Sequence, residues 1–463
     1  MNSDRKGDNM IDQLKKMTAS LEADYWDIRY ETKHVERVAM NKKEMRACDA
    51  NTGDGYVLRV LKKGALATVS FTRPEQAETA IRKAVENAEV LAANGVMPKT
   101  IAPAPVVVDS VKAPLVEDPR QISLKEKQAL TRAYSDLLFV QPKIANVEIG
   151  YADVYRNKFF INSEGTQINE ELVTTRLSGS IIAQEGSLTQ PVRFAFGGSD
   201  GFQRVRGREQ EAIAKAKIAA NLLDAQPVTA GTYRMVLNPG MAGVFTHEAF
   251  GHFSEADIVR DLPALKEKMK LGTKLGTDIL NITDDATLAS QLGYYKYDDE
   301  GVAVRRTNLM TDGVLTARLH DRFTAGEMNE PLSGHSIAED FRYSPIVRMG
   351  CIFIQPDKYT LNDLLAAMED GLYIGDPMGG QTSGENFTFG AQYGYIVKGG
   401  KLAGMIRDIN LVGNLYKTLQ SVWMIGSDFE LKEVGGCGKG QTNIRSCHGG
   451  PHVLIRELTV GGK

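Results

Sequence analysis

Several things are scarce in this chain, and each scarcity narrows its function. No apolar run approaches the roughly 20 residues that a membrane span needs, so no spanning helix is expected. A basic surplus is missing as well: 55 basic against 58 acidic residues leave a formal net charge of −3. A chain without positive excess has little to draw a polyanion, so nucleic acid is not expected as its main ligand. Cysteine is sparse, four in 463 residues, too few for a disulfide framework. The opening MNSDRKGDNM lacks the apolar core of a signal peptide. Together these features lead us to expect a cytoplasmic protein with free thiols. Histidine is also rare, seven in all, yet two of them fall within one hexapeptide.

The remaining composition, 42% hydrophobic and 24% charged, is that of a globular chain too long for one ordinary core. We expect an α+β protein of two domains. Residues 1–225 form the N-terminal α+β domain, with sub-domains at about 10–95 and 121–225, each a mixed sheet with flanking helices. Residues before 10 read as an unstructured lead-in. Prolines 98, 103, 105, 114 and 119 forbid a regular helix and mark the connection between sub-domains. Met10, Ile11, Leu14, Met17 and Leu21 recur at helical spacing, and Trp26, Ile28 and Tyr30 alternate as in a strand. Asp54-Gly55 and Lys63-Gly64 read as turns between short strands. Ser123 and Glu126 form a capping box for a later helix. Gln226-Pro227 begins the boundary to a sheet-rich C-terminal domain, 226–463, which carries the histidine-bearing helix.

That helix holds Thr246–Asp257, THEAFGHFSEAD. His247, Glu248 and His252 have the grammar of a metal-dependent hydrolase: two imidazoles hold a divalent ion, and the carboxylate beside the first is general base toward water. The spacing is H-E-x-x-x-H, one residue longer than in the common zincin motif. At about 100° per residue, five steps turn the second ring roughly 140° away from the first. Convergence therefore requires a looser, π-type turn, which Gly251 is expected to ease through its backbone freedom. A third ligand is needed. Glu255, Asp257, glycine-flanked Cys437 and the pair Cys447-His448 are all candidates, and the residues alone do not choose between them. For Glu255 and Asp257, a solvated helix end or a bond to a neighbour is the plainer role. Cys48 and Cys351 read as buried hydrophobes, and His320, His335 and His452 as structural. Gly379-Gly380-Gln381 could let a substrate backbone come close.

Leu237-Asn238-Pro239-Gly240, the His247–His252 motif and Glu255-Ala256-Asp257 resemble the signature of the TldD/PmbA family. The resemblance continues through Tyr297–Gly301, Asp312–Leu315, Asp321-Arg322, Arg348-Met349, Gly379-Gly380-Gln381, Gly394–Ile396 and Cys437-Gly438-Lys439 with Gln441. Asn162-Ser163 and Gly165 match the N-terminal half. The resemblance implies a cytoplasmic metallopeptidase acting on unfolded or unstructured peptides. It also implies His247, His252 and Cys437 as metal ligands and Glu248 as catalytic base. The metal expected is zinc, with iron as the alternative. A paralogous branch, PmbA or TldE, lacks these residues and pairs with the catalytic one, so a heterodimer or a homodimer is expected. The competing expectation is a non-catalytic regulatory or binding subunit of gyrase-modulator type, with a structural metal. The chain departs from the family pattern at Met378, at Ser383 and over Thr442–Gly449, positions that bear on the substrate groove and the partner surface.

Overall fold

The computed structural model describes residues 2–433 and 435–461, with side chains from residue 9. The fold is α+β. The lead-in expected without structure belongs to helix α1, Asn2–Thr18. It is followed by strands β1 (Tyr25–Asn41), β2 (Glu44–Lys62) and β3 (Ala65–Phe71) and helix α2 (Ala77–Ala93). Strand β4 (Val108–Val111), helix α3 (Leu124–Phe139), strands β5 (Ile144–Asn162), β6 (Gln167–Glu185) and β7 (Leu188–Gly198), and helix α4 (Glu209–Leu222) complete this half.

All seven strands form one sheet, in the order β3-β2-β1-β5-β6-β4, with β7 also on β6. Both expected sub-domains thus share one sheet through the β1–β5 pairing. The proline-rich connection supplies β4, parallel to Gln167–Glu170 of β6. Period-2 reading could not find this strand because prolines flank it and it pairs on one edge only. Strands expected as separate pieces run together. Asp54 and Gly55 lie inside β2 opposite Thr32 and Glu31, so they are not a turn. Gly55 is needed for close approach instead: a Cβ there would sit 2.4 Å from the Phe341 ring. The real reversal is at Lys42, with φ of 52°.

Alternation along the strands divides the sheet into two unlike faces. Ile28, Leu58, Phe159, Ile149, Leu177 and Ile181 bury their side chains in two apolar clusters with residues of α1–α4. The opposite face meets the C-terminal half and is charged. Buried Arg59 binds Asp27 of the sheet at 2.5 Å and Glu300 at 2.8 Å. Asp299 lies 3.3 Å from both Arg29 and Arg156 and 3.2 Å from Lys158. Although burial alone would raise it, the Asp299 carboxyl is held well below the usual range by Arg156, Arg29 and Lys158.

The C-terminal half is built mainly on two sheets. In the larger, strands 371–383, 231–237, 453–461, 409–414 and 386–398 pair in turn, and the last returns to pair with the first, closing a ring. Its core joins Met235, Leu237, Phe387, Leu411 and Ile455 to Met241 and Phe245 of the histidine-bearing segment. The smaller sheet places 447–450 parallel to 351–354. Among the described residues no helix is long and apolar enough to cross a membrane.

Removing one partner from a buried ion cluster leaves uncompensated charge at a cost of about 3–5 kcal/mol. Asp299→Ala should lower stability by that order in urea denaturation. The contribution of Asp299 is full above about pH 4, the ordinary carboxylate value, and is lost as pH falls through its depressed folded value.

Candidate metal centre

Asn238 starts the segment by accepting a 2.9 Å hydrogen bond from the Met241 N–H, with Pro239 in the first turn. Helix α5 (Pro239–Val244) then gives way to a π-helix over Phe245–Gly251 and a 3₁₀ turn over His252–Ser254. The His252 N–H donates to the His247 carbonyl, five residues back. This is the loose turn that the spacing requires, and it brings the two rings together at 5.2 Å between centroids, 85° apart in plane.

Gly251 does not act as expected. Its angles are ordinary right-handed ones, φ −60° and ψ −45°, which any residue adopts. What it lacks is bulk: a Cβ would stand 2.2 Å from the Met349 Sδ. Gly243 is a less forgiving case, because its Cβ would stand 2.7 Å from the backbone of Gly449, which yields less readily than a side chain, and 2.7 Å from the His448 ring. Through that contact α5 rests directly on strand 447–450.

Cys437 arrives from far along the chain. Gly435 and Gly436 have φ of 61° and 92°, a conformation that favours glycine. Cys437 then exchanges two backbone hydrogen bonds with Ile444, at 2.9 and 3.0 Å. Its Sγ lies 3.6 Å from the His252 Nε2, and a Glu248 carboxylate oxygen lies 3.6 Å from the same nitrogen. One ligand atom from each of His247, Glu248, His252 and Cys437 falls within 4.8 Å of all the others.

Glu255, Asp257 and Cys447 are placed elsewhere. Glu255 stands behind His252, 3.2 Å from its Nδ1, and also meets Lys439 at 2.9 Å and Arg348 at 3.3 Å. It is fully buried, so of its two plainer roles the structure shows the bond to neighbours and not the solvated helix end. Asp257 binds Lys439 at 2.8 Å. Cys447 turns away into a cluster with Leu292 and Cys351, a buried pair facing each other across parallel strands.

Electrostatics fit a cation between these donors. Burial, with His448, His252 and Arg348 nearby, holds the His247 pKa well below its ordinary value, so its ring stays neutral. Among the described residues its buried Nδ1 has no hydrogen-bond partner. Burial would lower the His252 pKa too, but the Cys437 sulfur and the Glu255 carboxylate reverse this and push it up to about 10. Burial raises the Glu248 carboxyl. Two imidazoles, a thiol and a carboxylate form a donor set suited to zinc.

Models of the PmbA/TldA metallopeptidase domain 1, central domain and C-terminal domain match residues 26–92, 117–225 and 230–462 in order. The chain belongs to the PmbA/TldD metallopeptidase family. A metalloprotease from Synechocystis sp. is 34% identical over 444 residues, covering 95% of each chain. A zinc metalloprotease TldD homolog from Saccharolobus solfataricus is 29% identical over 459 residues, covering 98% of this chain and 100% of its own. The crystal structure of TldE from Thermococcus kodakarensis has the same fold, with a TM-score of 0.75 at 15% identity, over 98% of this chain and 99% of that one.

Two further features of this family member lie beside the cluster. Gly379, Gly380 and Gln381 are exposed on the hairpin of 371–383 with 386–398, and the next residue, Thr382, donates a 3.0 Å bond to the Glu248 carbonyl. Gly379 has φ of 136° with open space around its Cβ position, so backbone angle demands glycine there. His448 is a candidate ligand from the pair Cys447-His448, and unlike Cys447 it stands near the cluster. Its ring stands 5.4 Å from that of His247, its Nε2 is buried without a hydrogen bond, and burial lowers its pKa to about 4. No local spacing signals this, because it depends on the Gly243–Gly449 contact. His320, His335 and His452 pair with Glu330, Asp284 and Asp428 at 3.0, 3.0 and 2.7 Å, away from the cluster.

Adding a methyl group at the Gly243–Gly449 contact forces backbones apart at a cost of about 1–3 kcal/mol. Gly243→Ala should show that loss in urea denaturation, whereas Gly404→Ala, which meets nothing within 4 Å, should not.

Proposed function

We propose that this protein is a metal-dependent endopeptidase for unfolded or unstructured peptides. The observation that carries the reading is the convergence of His247, Glu248, His252 and Cys437 on one point from a π-turn and a distant loop. His247, His252 and Cys437 would hold the ion, zinc by donor type or alternatively iron, leaving Glu248 free as base. When bound, such an ion supplies Lewis acidity that polarises a peptide carbonyl and makes water a better nucleophile at neutral pH. Glu248 takes the proton from the attacking water on a carboxylate oxygen and passes it to the leaving amide nitrogen. Burial raises its carboxyl pKa, the direction that helps it hold the proton between the two transfers. Glu255 orients His252 through its Nδ1, and against the effect of burial that hydrogen bond, with Lys439 and Arg348, lowers the Glu255 pKa and keeps it ionised. A regulatory subunit with a purely structural metal has no use for a basic carboxylate in the donor cluster.

Substrate would bind as an extended strand along the hairpin edge at Gly379, Gly380 and Gln381. That mode reads backbone more than side chains and suits a broad preference for unfolded chains. A partner of TldE type, or a second copy, would cover this side, in the cytoplasm. The catalytic unit would be residues 226–463, with 1–225 forming the other domain.

Glu248→Gln should keep its metal and lose on the order of 10²–10⁴ in hydrolysis rate, the usual worth of a general base. Retention of metal together with full rate would overturn the mechanism. Cys437→Ser should purify with its metal lost, measured by elemental analysis. Glu255→Gln should weaken metal binding about 10- to 100-fold in chelator competition, the usual effect of losing a carboxylate behind a ligand histidine.

A further inference from the structure

Between the charged face of the N-terminal sheet and the C-terminal half lies a cavity of about 1150 Å³. Arg176 and Ser178 of β6 and Arg193 of β7 line one side, and Asp376, Gly379 and His448 line the other. His448 links it to the metal cluster, since the same ring stands 5.4 Å from that of His247.

The acids on the cavity wall are already engaged. Asp376 accepts from Lys215 and Asn238, Glu433 and Glu211 from Arg208, and Glu430 from Lys432. Asp428 pairs with His452, and Glu148 accepts from Asn41. Arg176 differs. Among the described residues none accepts a side-chain hydrogen bond from it or forms an ion pair with it, and its Nε is buried without an acceptor. Burial is the one cause that shifts its pKa, downward, so no carboxylate compensates it. Its Nε is desolvated and unmatched, which is costly in a folded protein, and the planar fork of donors it belongs to lines the cavity and matches the geometry of a carboxylate. Arg193, on the adjacent strand, also lacks a side-chain partner among the described residues and adds positive potential.

We propose that Arg176 anchors a carboxylate of the bound peptide, either its C-terminal carboxylate or an Asp or Glu side chain. Only the peptide nature of the ligand rests on the peptidase reading. With its acidic group held at Arg176, the chain would be positioned along the cavity towards His448 and the metal cluster.

The test uses the full chain carrying Glu248→Gln, so that peptide is bound and not consumed. An N-terminally fluorescein-labelled, uncharged unstructured peptide is titrated in three forms: free C-terminal acid, C-terminal amide, and amide with one internal Glu. Anisotropy should show the free acid, the Glu-bearing amide or both binding on the order of tenfold tighter than the neutral amide, as for a charge-assisted fork contact. Which form gains identifies the source of the carboxylate. Adding Arg176→Gln should bring the ratio near one, and Arg176→Lys should keep part of it. If Arg176→Gln fails to fold, Ser178→Asp supplies a competing acid beside Arg176 and should erase the ratio in the same way. Equal binding of all three forms, or a preference that survives these changes, overturns the anchor. Hydrolysis by the wild-type, metal-loaded chain is read separately: no cleavage with the preference intact would sink the peptidase reading and leave the anchor standing.

Discussion

The centre of this molecule depends on one hydrogen bond, from the His252 N–H to the His247 carbonyl. Moving the acceptor from four residues back to five changes the phase of the helix enough for both imidazoles to share one side. The shift is held from outside. Gly251 lets Met349 and Ile352 press against the turn, Thr382 occupies the Glu248 carbonyl, and Glu255 fixes the His252 ring. A π-turn has poorer backbone geometry than an α-helix, so its persistence in a buried segment is the work of these contacts.

Around that turn the protein uses charge where most interiors use hydrocarbon. The N-terminal sheet turns its apolar face to its own helices and its charged face to the C-terminal half. Arg29, Arg59, Arg156 and Lys158 there are matched by acids that include Asp299 and Glu300. Such matching is directional, so it fixes how the halves register more tightly than an apolar contact of equal area would. The same sheet face, farther along β5 and β6, opens into the cavity, where among the described residues no acid pairs with Arg176. One strand face thus passes from a closed ionic seam to an open polar wall.

Legibility in the sequence followed the range of the interactions involved. The α+β class, the helix capped at Ser123 and the need for a π-turn were all readable from local spacing, because short-range patterns signal them. Asp54-Gly55 misled, since a turn dipeptide and a glycine kept small for Phe341 look alike in one dimension. The strand in the proline-rich connection was hidden for a similar reason: its partner, β6, lies about sixty residues downstream. Residue types alone left Cys437, Glu255 and Asp257 level as third ligands. Only in three dimensions does Lys439 claim both acids, leaving the thiol beside the rings. Arg176 carried no sequence signal at all, and His448 only its place in the pair Cys447-His448, because what marks them is an absence of partners in space among the described residues.

The sulfur and the ring nitrogen that meet at 3.6 Å belong to positions 185 residues apart. An ion seated between them would fasten a glycine-hinged flap to the body of the fold, in the manner of a rivet. Catalytic readiness and the local rigidity of the chain near Cys437 would then rise and fall together. Susceptibility of that flap to an external protease becomes a gauge of how fully the protein is charged with metal.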